Sequence, residues 1–174
     1  MERNQKGGGI MHLSPELTKK LQEAWAHEKH NSLTYKHIQS ILDVNGFKNL
    51  ASYYRKWAEE ESQHSEWVLE FMLQMNIPLS VSNIEISTIT NDNIFAFPAI
   101  TAQIEDSTTK LWQEFYEMSE NDMSIGAGMA SQFALKLLKE QAEETGKAQD
   151  LVDQISNLGE SRAFLQIYDN TFEG

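Results

Sequence analysis

Residues 58–64 read Ala-Glu-Glu-Glu-Ser-Gln-His, and this stretch lies inside a long segment without proline. Glu61 and His64 are three residues apart, so a helix places both side chains on the same side. Helical E-x-x-H pairs also occur in proteins that bind no metal, and alone the pair indicates little. Whether this pair binds a metal depends on which other side chains the fold brings next to it.

The first helix has clear sequence signals at both ends. Ser14 suits the N-cap, Pro15 suits the first helical position, and Glu16 places an acid in the first turn. Asn45 and Gly46 are typical of a helix end.

Apolar residues at three- and four-residue steps predict four long helices and a short fifth one. We predict them over residues 15–43, 48–75, 94–120, 124–157 and 160–169. The segment from Asn76 to Asp92 is polar and is predicted to be an extended crossover. Two short connections and one long one predict an all-α four-helix bundle, with the long crossover between the second and third helices and a short C-terminal fifth helix.

Each long helix carries acidic side chains where its apolar stripe is interrupted. Besides Glu61 with His64 on the second helix, these are Glu28 on the first, Glu105 on the third, and Glu140, Glu143 and Glu144, with Gln141 among them, on the fourth. Taken singly, each acid suits an exposed position. Lys136 and Lys139, four residues before Glu140 and Glu143, would then form surface ion pairs.

Taken together, the acids predict a metal site. A buried carboxylate is costly unless it is paired or bound to a metal. A carboxylate group near the middle of each of four helices is the ligand arrangement of dinuclear carboxylate sites in such bundles. The alternative, a purely structural bundle with incidental acids, requires all four groups to face solvent or to be buried without compensation.

Composition limits the partners. The formal net charge of −12, from 26 acidic and 14 basic residues, disfavours nucleic acid and anionic membranes as partners and favours cations. The chain has no cysteine, so a metal must be held by oxygen and imidazole, which suits iron, manganese, zinc or magnesium. No apolar run has membrane-spanning length and no signal peptide is visible, so we expect a cytoplasmic protein.

The sequence resembles the ferritin family, and within it the bacterial non-haem branch. The resemblance rests on residues 21–35, 58–64 and 139–144 and extends from about Leu13 to the C-terminus. It implies a ferritin-like bundle that oxidises Fe(II) to Fe(III) with O2 at a dinuclear iron site. It also implies storage and detoxification of iron as ferric oxyhydroxide in a hollow shell of twenty-four copies.

The resemblance also assigns roles to residues. It implies that Glu28, Glu61 and His64 bind one iron, and that Glu61 bridges to a second iron. The second iron would be held by Glu105 and Glu144, with Gln141 nearby either as a weak ligand or as a residue that contacts the ligands without binding the metal.

Further residues have implied roles around these two irons. Tyr35 matches a tyrosine beside the site that supplies an electron or a hydrogen bond. A third, inner iron position would be formed by Glu60, Glu140 and Glu143, with Glu144 shared. Asp122, between the third and fourth helices, is a candidate pore residue.

Three departures from related patterns refine this prediction. The fourth helix has Gln141-x-x-Glu144 instead of a second E-x-x-H, which disfavours bacterioferritin and rubrerythrin. No methionine follows Glu61 where haem-binding bacterioferritins place their axial ligand, so we expect no haem. Lys136 stands where this branch often has tryptophan, which argues against an electron-donating aromatic residue there.

The sequence predicts two segments and leaves alternative functions open. Residues 1–12 are predicted to be a flexible leader, in which Met11 is a candidate natural start and the first ten residues a candidate cloning addition, and residues 13–174 are predicted to be a ferritin-like diiron domain. One alternative function is a ferritin-like shell that binds metal without efficient ferroxidase activity. A smaller shell that protects DNA is disfavoured, because such proteins bind iron across subunit interfaces.

Overall fold

A computed structural model describes residues 12–80, 84, 89 and 94–172 of the chain. The helices within these residues are α1 (Pro15–Val44), α2 (Lys48–Gln74), α3 (Phe97–Glu120), α4 (Ala127–Ser156) and α5 (Arg162–Thr171), with one 3-10 turn at Ile94–Ala96 before α3. Every predicted helix is present, and its ends agree with the prediction to within one turn. All of the predicted leader except His12 lies outside the described residues.

The signals at the ends of α1 act as predicted. The Ser14 hydroxyl accepts a hydrogen bond from the backbone N–H of Leu17 at 3.2 Å, and Pro15 occupies the first turn. Gly46 follows the helix with a φ of +89°, a conformation that other residues rarely adopt. The tight turn that follows allows α2 to pack antiparallel against α1.

Two apolar cores fill the two ends of the bundle. The upper core, defined by Tyr35, Ile38, Tyr54, Phe97 and Leu151, joins the end of α1 to the start of α2 and α3 and the end of α4. The lower core is defined by Leu17, Leu21, Met72, Trp112 and Leu137. A layer of polar side chains separates the two cores.

The direction of the helices explains the long connection. Helix α2 ends in the lower core at Met72 and Met75, whereas α3 begins in the upper core at Phe97. The two helices therefore run in the same direction, and the chain between them must return along the whole bundle. This confirms the predicted crossover.

The crossover is described only in part, because residues 81–83, 85–88 and 90–93 lie outside the described residues. At its start, the Gln22 side chain donates to the carbonyl of Pro78 at 2.8 Å and accepts from the N–H of Ser80 at 2.9 Å. Further along, Ile84 packs against the lower core and Ile89 against the upper core. These contacts agree with a path along the bundle.

Helix α5 folds back onto the start of α2. Helix α2 has no capping side chain of its own, but the buried Asp169 carboxylate accepts the backbone N–H of Leu50 at 2.8 Å. The Asn49 side chain donates to the Asp169 carbonyl at 2.7 Å. Asp169 thus caps α2 from a distant part of the chain.

Replacing Asp169 with alanine is expected to lower the free energy of unfolding by about 1–2 kcal/mol, the typical cost of losing a helix cap. Urea unfolding followed by circular dichroism at fixed protein concentration measures the difference. Asp153→Ala is the matched control, because Asp153 is exposed on α4. Its carboxylate accepts a hydrogen bond from the side chain of Gln149, one turn earlier on the same helix. Equal losses in the two variants would contradict the capping role.

Candidate metal centre

The polar layer between the two cores contains six buried side chains from all four long helices. They are Glu28 of α1, Glu61 and His64 of α2, Glu105 of α3, and Gln141 and Glu144 of α4. All six were predicted site residues, and each is at most 6% exposed. The helices thus place them at one level of the bundle.

Glu28, Glu61 and His64 form the tightest group. One ligand atom from each lies within 4.8 Å of the others, which suits a shared metal ion. Trp112 donates its indole N–H to Glu28 Oε1 at 2.8 Å and so fixes this carboxylate. The second oxygen of Glu28 and both oxygens of Glu61 have no hydrogen-bond partner among the described residues.

Glu105 is held by hydrogen bonds from two sides. The Tyr35 hydroxyl donates to one carboxylate oxygen, and the Gln141 amide donates to the other. Gln141 also donates to the Glu105 backbone carbonyl at 3.3 Å. Tyr35 and Gln141 therefore lie where the resemblance places them, next to the site and in contact with a predicted ligand.

His64 connects the two sides of the layer. Its Nδ1 lies 3.5 Å from Glu61 Oε2, and its Nε2 lies 3.6 Å from Glu144 Oε1. These separations exceed a normal hydrogen bond. Glu144 Oε2 is buried and without a partner. Within the described ranges, the imidazole is therefore the basic group that approaches these carboxylates.

The carboxyl groups favour their protonated forms when no metal is bound. Burial raises the pKa of Glu28 well above its ordinary value, and the neighbouring Glu61 charge raises it further. Burial also raises the pKa of Glu61 and Glu105, and it raises that of Glu144 to about 7. A bound cation would lower these pKa values again and stabilise the ionised carboxylates, because it supplies the positive charge that the layer lacks.

The predicted inner position lies in a cleft beside this layer. Glu60, Glu140 and Glu143 line a cavity of about 130 Å³ between α2 and α4, together with Glu144, His64, Gln63, Trp67 and Lys147. The cleft acids do not converge as closely as the first group: within the described part of the chain, only Glu28, Glu61 and His64 form a tight metal-ligand set. The third metal position stays a prediction.

Trp67 is a neighbour of the centre that the sequence did not reveal. Its ring lies 5.1 Å from the His64 ring, and the Lys136 ammonium lies over its face at 3.4 Å from the centroid. Lys136 thus contacts an indole and is not part of an ion pair with Glu140. The signal was the three-residue step from His64 to Trp67, which places both on one side of α2.

Asp122 lies at the turn between α3 and α4. Its carboxylate accepts the backbone N–H of Ser124 at 2.7 Å. Hydrogen bonds from Ser124 and Ser14 lower its pKa. These contacts give Asp122 a local structural role, and its predicted role in a pore stays a prediction.

Comparison with known proteins agrees with this architecture. The sequence matches the family model described as rubrerythrin over residues 19–157. The missing second E-x-x-H was predicted to disfavour rubrerythrin, and this match shows that prediction to be wrong at the family level. Among curated proteins, no match was found.

Solved ferritins share the fold. The open pore ferritin from the hyperthermophilic archaeon Archaeoglobus fulgidus superposes with a TM-score of 0.83 at 22% identity, covering 90% of this chain and 94% of that chain. An engineered closed form of that ferritin gives 0.82 at 22% identity, with coverages of 91% and 94%. A humanized archaeal ferritin gives 0.83 at 21% identity, with coverages of 91% and 95%. At such identities the likeness shows the fold alone, and that fold is the predicted one.

Within the described ranges, no helix combines the length and the apolar character that crossing a membrane requires.

Replacing Glu144 with glutamine is expected to stabilise the metal-free protein at pH 8. The pKa of Glu144 is about 7 in the folded chain against an ordinary value of 4.5, so folding takes up a proton between these values. The free energy of unfolding of the metal-free parent therefore falls as the pH rises through this range. Removing the charge should raise it by about 1–3 kcal/mol at pH 8, measured by urea unfolding in the presence of a chelator.

Glu70→Gln provides the control, since Glu70 is exposed on α2. This variant should unfold like the parent at pH 5 and pH 8. If metal-free Glu144→Gln is no more stable than the metal-free parent at pH 8, the ionised Glu144 carboxylate does not lower the free energy of unfolding.

Proposed function

This chain belongs to the rubrerythrin family, and on that basis we propose that it oxidises Fe(II) to Fe(III) with O2 and stores the ferric product. The observation that carries the proposal is the buried group of Glu28, Glu61 and His64, whose carboxylate oxygens lack partners. A ferritin-like bundle with such a group is suited to binding iron. Oxidation and storage are the steps that the proposal adds.

Fe(II) is the substrate, and its proposed ligands follow from the arrangement of the polar layer. Glu28, Glu61 and His64 bind the first ion. Glu61 is shared with a second ion, which Glu105 and Glu144 hold on the other side of the layer. The approach of His64 to both Glu61 and Glu144 supports two adjacent sites. We propose that no haem takes part.

Carboxylate ligands favour the ferric state, since hard oxygen donors suit the more highly charged ion. Two adjacent ferrous ions lose one electron each, and O2 takes up both electrons and two protons and leaves as hydrogen peroxide. The protons come from solvent and from the carboxyl groups, which release theirs when a cation binds. Each ferric ion then leaves the centre as a hydroxide for mineral growth.

The neighbouring residues hold the ligands in place. Trp112 fixes Glu28, while Tyr35 and Gln141 fix the two oxygens of Glu105. Tyr35 is buried, and burial raises its pKa, so it remains a hydrogen-bond donor at neutral pH. Such contacts keep the ligand geometry constant between the two oxidation states.

The proposal includes an exit route and a shell. The cleft lined by Glu60, Glu140 and Glu143 offers a third iron position next to Glu144. Exposed apolar side chains, namely Met123, Ile125, Phe164 and Ile167, provide surfaces for contacts between copies. The likeness to ferritins supports a shell of twenty-four copies, which gel filtration can test, and a cytoplasmic location remains part of the proposal.

Replacing Glu61 and His64 together with alanine is expected to slow aerobic Fe(II) oxidation at least tenfold, because the first ion loses two ligands and the second loses its bridge. Ferric absorbance after anaerobic loading and O2 addition gives the rate. The matched control is Glu70→Ala, an exposed acid on the same helix, which should oxidise iron like the parent.

Two other outcomes are informative. Equal rates in parent and double variant would show that the site assignment is wrong. If the parent binds Fe(II) at these residues but oxidises it no faster than buffer, the alternative of a metal-binding shell without efficient ferroxidase activity replaces the proposal.

A further inference from the structure

A second polar cluster touches the centre from the side opposite the cleft. It lies between α1 and α3 and consists of Asn31, Thr108 and His27. The Asn31 amide nitrogen donates to Thr108 Oγ1 at 3.0 Å, and His27 Nε2 lies 2.8 Å from the same oxygen. Asn31 and Thr108 are both almost fully buried. Apolar side chains would fill this helix contact at lower cost.

The direction of the hydrogen bonds follows from Thr108. Its hydroxyl donates to the carbonyl of Ile104 at 3.0 Å, so its remaining capacity is to accept. It accepts from Asn31, and it accepts from His27 when the imidazole carries its proton on Nε2. Thr108 is then saturated, and the orientation of the Asn31 amide is fixed.

Asn31 is placed to act on the metal ligands. It lies three residues after Glu28 and therefore on the same side of α1. It also neighbours Glu61, and both oxygens of that buried carboxylate lack a hydrogen-bond partner among the described residues. Thr108 uses one N–H of the amide. The second N–H is available to Glu61, whose oxygens have no short hydrogen bond, and Asn31 Oδ1 is likewise unpartnered.

We propose that Asn31 is a positioning residue of the metal centre, which holds the shared carboxylate Glu61 through its second amide N–H while Thr108 and His27 lock the amide. The inference rests on the proposed metal site. It adds a third ligand-orienting contact between α1 and α3, beside those of Trp112 with Glu28 and of Tyr35 with Glu105, and it gives a role to Asn31, Thr108 and His27. The network explains why a buried amide is kept although its Oδ1 is unsatisfied.

The test compares Asn31→Leu and Thr108→Val with the matched control Thr101→Val. Thr101 is also fully buried on α3, donates to the carbonyl four residues earlier at 3.0 Å, and contacts one side chain of a neighbouring helix, Tyr54, at 3.0 Å. Both threonine variants lose a bond to the carbonyl four residues earlier and a contact with a neighbouring helix, which is Tyr54 for Thr101 and the pair Asn31 and His27 for Thr108. Only Thr108 is connected to Asn31.

The readout is binding of Co²⁺ to the metal-free protein, followed by its ligand-field absorbance, together with urea unfolding of the metal-free variants. We expect Asn31→Leu to weaken Co²⁺ binding about tenfold and to alter the spectrum, the usual effect of losing a ligand-orienting contact. Thr108→Val should weaken binding several-fold, and Thr101→Val should bind like the parent. Asn31→Leu should not destabilise the metal-free protein.

Several results would overturn the inference. One is Co²⁺ affinity in Asn31→Leu equal to that of the parent, and another is an equal loss in Thr101→Val and Thr108→Val. If Asn31→Leu does not fold, Thr108→Val decides alone. If Glu61→Ala binds Co²⁺ as the parent does, the metal site is wrong and the proposed function falls with it. If the parent oxidises iron normally and Asn31→Leu binds Co²⁺ as the parent does, only the positioning role is refuted.

Discussion

Four buried carboxylates share the middle of this bundle, and among the described residues no lysine or arginine forms an ion pair with them. Among the residues that the structure describes, the His64 imidazole is the basic group that approaches them. Such a layer opposes folding, so the apolar cores above and below it must supply the stability that keeps the four helices together. The layer also divides the apolar interior into these two cores.

The sequence predicted the helices, and the polar side chains that meet in the central layer, for identifiable reasons. Scarce proline and regular apolar spacing are local signals, and they located every helix to within a turn. Glu28, Glu61 and His64 were recognisable because each interrupts an apolar stripe. Contacts between helices were not predictable in this way. Trp112 reaches Glu28 across 84 positions of sequence, and Asn31 reaches Thr108 across 77, so no local pattern marks either pair.

Gln141 shows why one missing ligand does not define a family. It stands where a second E-x-x-H would place its glutamate, and on that ground rubrerythrin was disfavoured. In the structure its amide donates to Glu105 and keeps the fourth helix engaged with the centre. Gln141 therefore orients Glu105, a proposed ligand, from the position at which the E-x-x-H pattern has a glutamate. Chemistry at the site can change in this way without a change of architecture.

The contact between Asp169 and α2 has a consequence for how the protein is made. The residue that caps the helix carrying Glu61 and His64 lies 119 positions after the backbone N–H that it accepts. During synthesis, α2 leaves the ribosome long before Asp169 is translated. Until Asp169 emerges, the first turn of this helix lacks its side-chain cap. The helix that carries two proposed metal ligands is therefore completed only after a segment far along the chain has been synthesised.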